Sequence, residues 1–253
     1  MRAPTHSIHA PHFPRGLPWL NVATLRLDQQ RGRPVLVEFW DFCRPSCLHT
    51  LPYVKAWHER YADAGLRVIT IHSPGFAPAR DEAAVAGAVA RLGIEHPVLV
   101  DLDLEVWRLY ENQGWPARYL FDDRLRLFEY HFGEGGYRET EEAIQEVLGI
   151  EREPVAYVRP EDVPDALLVV PTPDREGAYS GPYEAGAVWA VVSGSGDLVV
   201  DGEPRPVEHA GALLLVEHPH HTEGVLRLEP GPGVTVHATC FTPGLAAEQA
   251  PAG

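Results

Sequence analysis

The sequence has few cysteines, almost no lysine and no long apolar run. Its 253 residues include three cysteines and one methionine, and three cysteines are too few for the disulfide framework of a small secreted protein. Lys55 is the only lysine, and 21 basic residues stand against 36 acidic ones, giving a net charge of −15. Without a basic run or stripe, the chain is not expected to bind nucleic acid or an anionic membrane surface.

Segments that direct a chain to or through a membrane are also missing. The opening stretch, MRAPTHSIHAPHFPRGLPWLNV, has no apolar core of signal-peptide length, and no later run approaches the length of a transmembrane helix. Apolar residues still make up 45% of the chain, and the mean hydropathy is −0.18, values typical of globular proteins. The sequence therefore predicts a soluble, cytoplasmic, globular protein and gives no indication of its oligomeric state.

Strand and helix patterns alternate over residues 1–150. RPVLVEFW (Arg33–Trp40) is a short β-branched apolar run, typical of a strand buried in a sheet. The next segment has apolar residues at helical spacing and ends at Gly65. Further strand patterns are LRVITIHS, HPVLVDLD and a hairpin, ARYLFDD with LRLFEYHF; further helix patterns are RDEAAVAGAVARLG, LEVWRLYENQG and RETEEAIQEVLG. This order predicts an α/β domain with a mixed sheet and helices on both faces.

The composition changes after residue 150. Residues 151–177 are rich in proline and acidic residues and are predicted to be a linker or an irregular strand. From residue 178 to 253 the pattern is all strand, in AVWAVVSG, GDLVVDG, GALLLVEH, GVLRLEPG and GVTVHATCFTPG. Turn signals at this spacing predict an all-β sandwich with a jelly-roll-like arrangement. The histidine-rich EHPHHT (Glu217–Thr222) is predicted to be a solvated loop between two of these strands.

Two cysteines lie between the first predicted strand and the first predicted helix. The stretch VLVEFWDFCRPSCLHTLPYVKAW contains them as Cys43 and Cys47. It resembles the thioredoxin superfamily, and most closely the TlpA/DipZ-type redoxins and the thioredoxin-like domain that accompanies NHL repeats. The resemblance continues through GWPARYLFD and HFGEGGYRETEEAIQ, so it covers residues 1–150. The second domain more weakly resembles the small β-sandwich appended to some DipZ-type proteins.

The resemblance implies thiol–disulfide chemistry, with one departure at the nucleophile. Such chemistry uses a thiolate at a helix N-terminus, where the helix dipole and free N–H groups lower the thiol pKa, and a second thiol that resolves the mixed disulfide. The family pattern is W-x-x-x-C-x-x-C. Counting from Trp40, the nucleophile position falls on Arg44 and the resolving position on Cys47. Cys43 therefore stands one residue early.

Three interpretations of this C-x-x-x-C pair follow. In the first, Cys43 replaces the missing nucleophile and cycles with Cys47 between dithiol and disulfide. Residues four apart on a helix have Cα atoms about 6 Å apart, which is within disulfide range. Cys43 is also predicted to precede the helix, where the loop can adjust, and the charge of Arg44 would favour a thiolate. This first interpretation predicts an oxidoreductase.

The other two interpretations predict no thiol exchange. The spacing is similar to the copper-binding loop of Sco-type thioredoxin-like proteins, where two thiolates and a histidine would hold copper or zinc. Here the candidate histidines are His49, His72 and His131, and none has a spacing that singles it out. Alternatively, both thiols are packing residues, because cysteine is often buried as a small hydrophobe. The chain would then be a non-catalytic binding or assembly module.

Glu38 is a candidate proton carrier. The resemblance places it where thioredoxin-like strands have a buried acid, which lies beneath the resolving cysteine and exchanges its proton. Burial would raise the pKa of this carboxyl towards neutrality. The alternative is a partly exposed carboxylate or an ion pair.

The remaining candidates form the substrate-binding surface that the resemblance implies. Trp115–Pro116 matches the cis-proline loop, whose preceding peptide faces the cysteines and pairs with substrate backbone. Trp40, Phe42 and Arg44 are expected to flank the same surface. The alternative for Trp40 and Phe42 is that each is an aromatic residue of the core or its rim. Cys240 alternates with apolar neighbours and is predicted to lie in the core.

The sequence thus predicts a thiol–disulfide oxidoreductase that acts on protein or small-molecule thiols and disulfides. No organic cofactor is implied, because the sulfur atoms carry the electrons. A peroxiredoxin-type antioxidant activity is disfavoured, because the residues before Cys47 do not supply the P-x-x-x-[ST]-x-x-C loop.

Overall fold

The computed structural model describes residues 8–247 and divides them into two compact units. The first unit comprises residues 8–41, Ser46–Gly75 and Val85–Ala156. The second comprises residues 157–247 together with Phe42–Pro45 and Phe76–Ala84. This division by packing differs from the boundaries drawn on composition, since two short stretches of the first 150 residues pack with the strand-rich region.

The first unit is built on a six-stranded mixed sheet. Its strands are β1 (Trp19–Leu20), β2 (Val35–Trp40), β3 (Arg67–His72), β4 (Val98–Val100), β5 (Ala117–Phe121) and β6 (Leu127–Phe132), in the order β1-β4-β3-β2-β5-β6. β2, β3 and β4 are parallel, whereas β1, β5 and β6 pair antiparallel with their neighbours. The predicted mixed sheet and its β5–β6 hairpin are confirmed.

Four α-helices accompany the sheet: α1 (Pro45–Tyr61), α2 (Glu82–Arg91), α3 (Glu105–Leu109) and α4 (Tyr137–Leu148). Short 3-10 turns lie at Leu27–Gln30, Ala77–Arg80 and Pro160–Asp162. Two apolar clusters show which sheet face each helix covers. One joins Val37 and Phe39 of β2 to Val106 of α3, and the other joins Leu36 to residues of α1 and α4. Helices therefore cover both faces, as predicted.

The alternation of side chains along β2 decides what each face receives. Successive residues of a strand point to opposite faces. Val35, Val37 and Phe39 lie in the α3-side cluster, and Leu36 lies in the cluster formed with α1 and α4. Glu38, two residues after Leu36, consequently points towards the face that α1 and α4 cover. All six residues of β2 are buried, so this carboxyl group is in the interior.

The second unit is rich in strands. They are β7 (Leu168–Val169), β8 (Arg175–Glu176), β9 (Gly181–Gly194), β10 (Gly196–Val200), β11 (Glu203–Val207), β12 (Gly211–Leu226), β13 (Leu228–Pro230), β14 (Val234–Thr242) and β15 (Gly244–Leu245). They form a four-stranded sheet, β12-β9-β14-β8, a three-stranded sheet, β11-β10-β13, and the pair β15-β7. The two larger sheets share one apolar core, which is the arrangement of a sandwich.

The predicted loop at EHPHHT is wrong, because this stretch lies inside β12. The pairing of β12 with β9 continues on both sides of it, and the register shifts between Glu217 and Thr222. The extra residues bulge opposite Gly186, whose Cα lies against Gly244 so closely that a Cβ would be 2.5 Å from the Gly244 Cα. A bulge inserts residues without ending a strand. The inserted residues here are polar, so their sequence has the composition of a loop although the strand continues through them.

No helix in the described range, 8–247, has both the length and the apolar composition needed to cross a membrane.

Candidate functional site

Cys47 lies in the first turn of α1, directly after the buried strand β2. Pro45 is the first residue of the helix, so Cys47 is the third. Its sulfur atom accepts a hydrogen bond from the backbone N–H of Asp41, with an N–S distance of 3.4 Å. Asp41 is itself held in place, because its Oδ2 accepts the Gly75 N–H at 2.7 Å. A helix N-terminus and a backbone donor both favour negative charge on sulfur.

Cys43 lies two residues before α1, in the stretch that packs with the second unit. Within that unit, the Ala212 N–H at the start of β12 donates to the Phe42 carbonyl oxygen at 3.2 Å. The Arg44 guanidinium lies over the Phe76 ring, 5.0 Å from its centroid. A bond from β12 therefore holds the backbone beside Cys43, and Phe76 holds the side chain that follows it.

All three cysteines are thiols, and all three are buried. Cys240, on β14, is in the core of the second unit as predicted. Burial raises the pKa of its thiol to about 12, and the nearby Asp174 carboxylate acts in the same direction. A thiol with so high a pKa is almost wholly protonated near neutral pH, so Cys240 is a poor nucleophile.

Glu38 is 1% exposed, and neither of its carboxyl oxygens has a hydrogen-bond partner among the described residues. Removal from water raises its pKa to about 8, and the positive charge of Arg118 partly opposes this rise. The predicted buried acid is thus present, and its proton affinity lies close to neutrality. A carboxyl group in this range can both accept and release a proton at physiological pH.

The Trp115–Pro116 peptide bond is cis, as predicted. The Trp115 indole N–H donates to the Ser73 carbonyl oxygen at 2.8 Å. Its ring also packs against Trp107 of α3, with centroids 4.1 Å apart. Trp107 was not among the residues predicted from the sequence, although an aromatic residue on a short helix is visible there.

The carboxylate of Asp101 connects α3 to this loop. It accepts the backbone N–H groups of Glu105, Val106 and Trp107, at 2.7 to 3.1 Å, and the Ser73 hydroxyl at 3.2 Å. These bonds satisfy the free donors of the first helical turn. Asp101 thereby holds in place the helix against which Trp115 packs. An aspartate just before a helix pattern is a sequence signal that could have identified it.

We expect Asp101→Ala to lower the free energy of unfolding of this protein by about 2–3 kcal/mol, because buried N–H groups lose their acceptor. Urea unfolding followed by tryptophan fluorescence measures the change. Asp103→Ala is the matched control, since Asp103 is exposed on the same segment. Equal losses in the two variants would contradict the assigned capping role.

The flanking residues are placed differently from expectation. Trp40 and Phe42 are each 1% exposed, so neither presents the surface that was predicted for it. Trp40 is the last residue of β2 and packs edge-on against His72, with centroids 5.5 Å apart. Arg44 and Trp115 are half-buried, and Pro116 is buried. Large apolar side chains at the end of a central strand gain most by burial, which explains the difference.

The candidate metal ligands do not converge. Among the described residues, no group of three or more His, Cys, Asp and Glu side chains has a geometry that could hold a metal ion. His49 pairs instead with Glu134, Nδ1 to Oε1 at 2.9 Å. His131 lies against the glycine loop, near the Glu134 carbonyl oxygen. The Sco-like interpretation therefore gains no support from the arrangement of side chains.

Comparison with known proteins extends these observations. No protein-family model matches the chain. Protein DipZ of Mycobacterium tuberculosis is 33% identical over 163 residues, which are 61% of this chain and 24% of DipZ. NHL repeat-containing protein 2 of Homo sapiens is 31% identical over 131 residues, 51% of this chain and 18% of that protein. The chain therefore spans a quarter or less of the length of these relatives.

A third relative is matched over most of its length. The thiol-disulfide oxidoreductase YkuV of Bacillus subtilis is 28% identical over 130 residues, which are 51% of this chain and 87% of YkuV. A solution structure of a thioredoxin-like protein in the oxidized form matches with a TM-score of 0.52 and 27% identity, covering 58% of this chain and 99% of that one. A crystal structure of a thioredoxin-like superfamily protein matches with a TM-score of 0.53 and 22% identity. The match covers 58% of this chain and 100% of that one.

The first unit accordingly has the thioredoxin-like fold of the redoxin type, and a strand-rich region follows it. The relatives that it matches include proteins named as thiol-disulfide oxidoreductases.

Proposed function

We propose that this protein is a thiol–disulfide oxidoreductase whose reacting pair is Cys43 and Cys47. The observation that carries the proposal is the position of Cys47, in the first turn of α1 with the Asp41 N–H on its sulfur. This environment stabilises the thiolate that Cys47 becomes once its proton has been removed. The similarity to YkuV supports the same chemistry. The family pattern places the nucleophile at position 44, which is an arginine and has no thiol. The neighbouring Cys43 supplies the second thiol instead.

In the reducing direction, the Cys43 thiolate attacks a substrate disulfide, R–S–S–R′. A Cys43–S–S–R bond forms, and R′–S⁻ leaves and takes a proton from water. Cys47 then transfers its proton to the Glu38 carboxylate and attacks the Cys43 sulfur. The Cys43–Cys47 disulfide forms, R–S⁻ leaves, and two electrons have passed to the substrate. A second dithiol reduces the protein again, and the oxidising reaction runs the same steps backwards.

The burial of both sulfurs adds one requirement. Cys43 and Cys47 are at most 1% exposed, and a disulfide substrate must reach the attacking sulfur along the S–S axis. Exchange therefore includes a local opening of Phe42–Pro45. Trp115 and Pro116 would then receive the substrate, a protein or small-molecule disulfide.

A redox titration in glutathione buffers tests the proposal. The protein is equilibrated at a series of potentials, its thiols are trapped by alkylation, and the trapped sites are mapped by mass spectrometry. We expect a reversible, two-electron loss of two thiols, at Cys43 and Cys47, with Cys240 reduced throughout. A midpoint near the cytosolic glutathione potential, about −220 to −320 mV, would agree with the predicted cytoplasmic location.

One outcome of this titration would contradict the proposal. If Cys43 and Cys47 stay reduced over the whole range, and unfolded protein in the same buffers forms the disulfide, the native chain does not perform this exchange. The cysteines would then be packing residues of a non-catalytic module.

A further inference from the structure

Arg118 is the only buried lysine or arginine among the described residues, and its exposed fraction is 0%. A buried cation costs free energy unless it is paired and hydrogen-bonded. Its Nη2 donates to the Gly135 carbonyl oxygen, whereas Nε and Nη1 have no hydrogen-bond partner in the part of the chain that the structure describes. A charge kept in the interior with incomplete hydrogen bonding needs another reason for its presence.

Strand pairing places Arg118 opposite Glu38. β2 and β5 are antiparallel neighbours, and their register aligns Glu38 directly with Arg118. Directly opposed residues of a sheet point to the same face. This is the face that α1 and α4 cover, because Leu36 and Leu120, two residues from Glu38 and Arg118, lie in the cluster with those helices. Two fully buried groups of opposite charge thus share one side of the sheet.

Aromatic rings and a glycine loop hold the guanidinium in place. It lies 5.1 Å from the centroid of the Tyr137 ring and 5.7 Å from that of Trp57. Its bond to Gly135 holds the turn before α4, where Gly136 has a φ of +61° and approaches His131 so closely that a Cβ would be 2.5 Å from the ring. Arg118 therefore has little freedom to swing away from Glu38.

The thiol centre lies beyond the end of the same strand. Asp41, whose N–H bonds to the Cys47 sulfur, is three residues after Glu38. At the rise of a strand, its Cα is about 10 Å from that of Glu38.

We propose that Arg118 is a positioning residue of the thiol centre, whose fixed positive charge opposite Glu38 sets the pH range in which this carboxyl group can take the proton of Cys47. The proposal rests on the proposed oxidoreductase function. Without this charge, the buried carboxyl would hold its proton to a higher pH and could not accept another one near neutrality. Burial raises the Glu38 pKa to about 8 even with Arg118 opposing the rise.

Other charged groups near the pair do not replace Arg118. The other strand neighbour of Glu38 is Thr70 on β3, which carries no charge. Burial lowers the pKa of Arg118, and the charges of Tyr137, Glu38, Glu129 and Glu139 oppose this and favour its protonated form. Arg118 in turn contributes to the lowered pKa of His131. Burial keeps the His131 imidazole neutral near pH 7, since its pKa is lowered to about 4. Arg118 is therefore the cation that acts on Glu38.

The test separates charge from hydrogen bonding. Arg118→Gln removes the charge and keeps a donor for Gly135, whereas Arg118→Lys keeps the charge. Arg118→Met is the second uncharged variant, for use if the glutamine variant fails to fold. The infrared band of the protonated Glu38 carboxyl, identified by its loss in Glu38→Gln, is followed from about pH 4 to about pH 11.

We expect the Glu38 midpoint to rise by about one pH unit or more in Arg118→Gln and Arg118→Met, as for removal of a close opposite charge, and to stay near that of the unchanged protein in Arg118→Lys. The pH profile of insulin reduction should move upward with it. An unmoved midpoint in the uncharged variants, or an equal rise in Arg118→Lys, overturns the inference.

The two proposals fail in different ways. The infrared titration needs no catalytic turnover, so it decides the role of Arg118 even if the protein reduces no disulfide. A working oxidoreductase with an unmoved Glu38 midpoint would overturn the role of Arg118 alone.

Discussion

Replacing Cys47 with serine is expected to reduce the rate of insulin disulfide reduction by on the order of a thousandfold or more, the scale of loss when a covalent catalytic group is removed. The Cys47 sulfur lies at a helix N-terminus and accepts a backbone N–H. Without it, a mixed disulfide on Cys43 has no internal thiol to resolve it. The turnover assay with dithiothreitol as electron donor measures the loss.

The three cysteines provide matched controls for this result. Cys47→Ser should accumulate a substrate adduct on Cys43, visible as added mass that a reductant removes. Cys43→Ser should show neither turnover nor adduct, and Cys240→Ser should keep full activity because its thiol is protonated in the core. An adduct on Cys47 in the Cys43→Ser variant would reverse the assigned roles. Full activity in Cys47→Ser would exclude the proposed pair.

The second large effect is on the pH dependence of stability. One buried group should lower the free energy of unfolding at acidic pH, and another should lower it at alkaline pH. His96 is fully buried, with no partner for either ring nitrogen among the described residues, and faces His58, with centroids 5.5 Å apart. Burial, together with the charges of His58 and Lys55, lowers the His96 pKa from 6.5 to about 3. The unfolded chain therefore binds this proton more readily, and stability falls as the pH drops from about 6.5 towards 3.

Glu38 should lower the stability of the fold as the pH becomes alkaline. Its pKa is raised from 4.5 to about 8 in the folded protein, so the folded chain binds this proton more readily. The stabilisation is fully present below about pH 4.5 and is lost as the pH rises through 8. Each group should change the free energy of unfolding by on the order of 5 kcal/mol over its whole range. The two contributions together favour a maximum of stability between about pH 4.5 and 6.5.

Urea unfolding at a series of pH values measures both effects as differences between variants. His96→Phe should remove the acidic decline and Glu38→Gln the alkaline one, each relative to the unchanged protein at the same pH. His12→Gln and Glu142→Gln are the controls, since both residues are exposed. Parallel pH curves for His96→Phe and the unchanged protein would show that His96 is not the acid-sensitive group. For Glu38→Gln, parallel curves would rule out the buried carboxyl as the alkaline one.

The fold of the first unit could be predicted largely from local patterns. β2, α1, β3 and the β5–β6 hairpin each have an apolar periodicity that is visible within one short stretch. β1 could not be predicted, because two residues, Trp19 and Leu20, form no pattern and become a strand only by pairing with β4. β11 was missed for another reason. Its sequence, EPRPV, has two prolines, which a strand tolerates when it lies at the edge of its sheet, as β11 does.

The candidate site likewise has residues that could be predicted from local sequence and others that could not. Cys47, Glu38 and Trp115–Pro116 could be predicted, because each stands at a fixed place in a local sequence pattern. The position of Arg118 opposite Glu38 depends on the register of two strands that are far apart in the sequence. An arginine within the apolar run ARYLF was visible, but nothing local shows which residue it faces. The bond between Ala212 and Phe42 likewise joins distant parts of the chain.

That last bond bears on how the protein is made. During synthesis, Phe42 and Cys43 leave the ribosome long before Ala212, and domains generally fold in the order in which they emerge. The first unit can form its sheet once residue 156 is available, whereas the second unit needs residues 42–45 as well as strands that are still untranslated. The surroundings of Cys43 are therefore completed last. A nascent chain that pauses before β12 is therefore expected to leave this thiol more open to oxidants than the finished fold, in which it is buried.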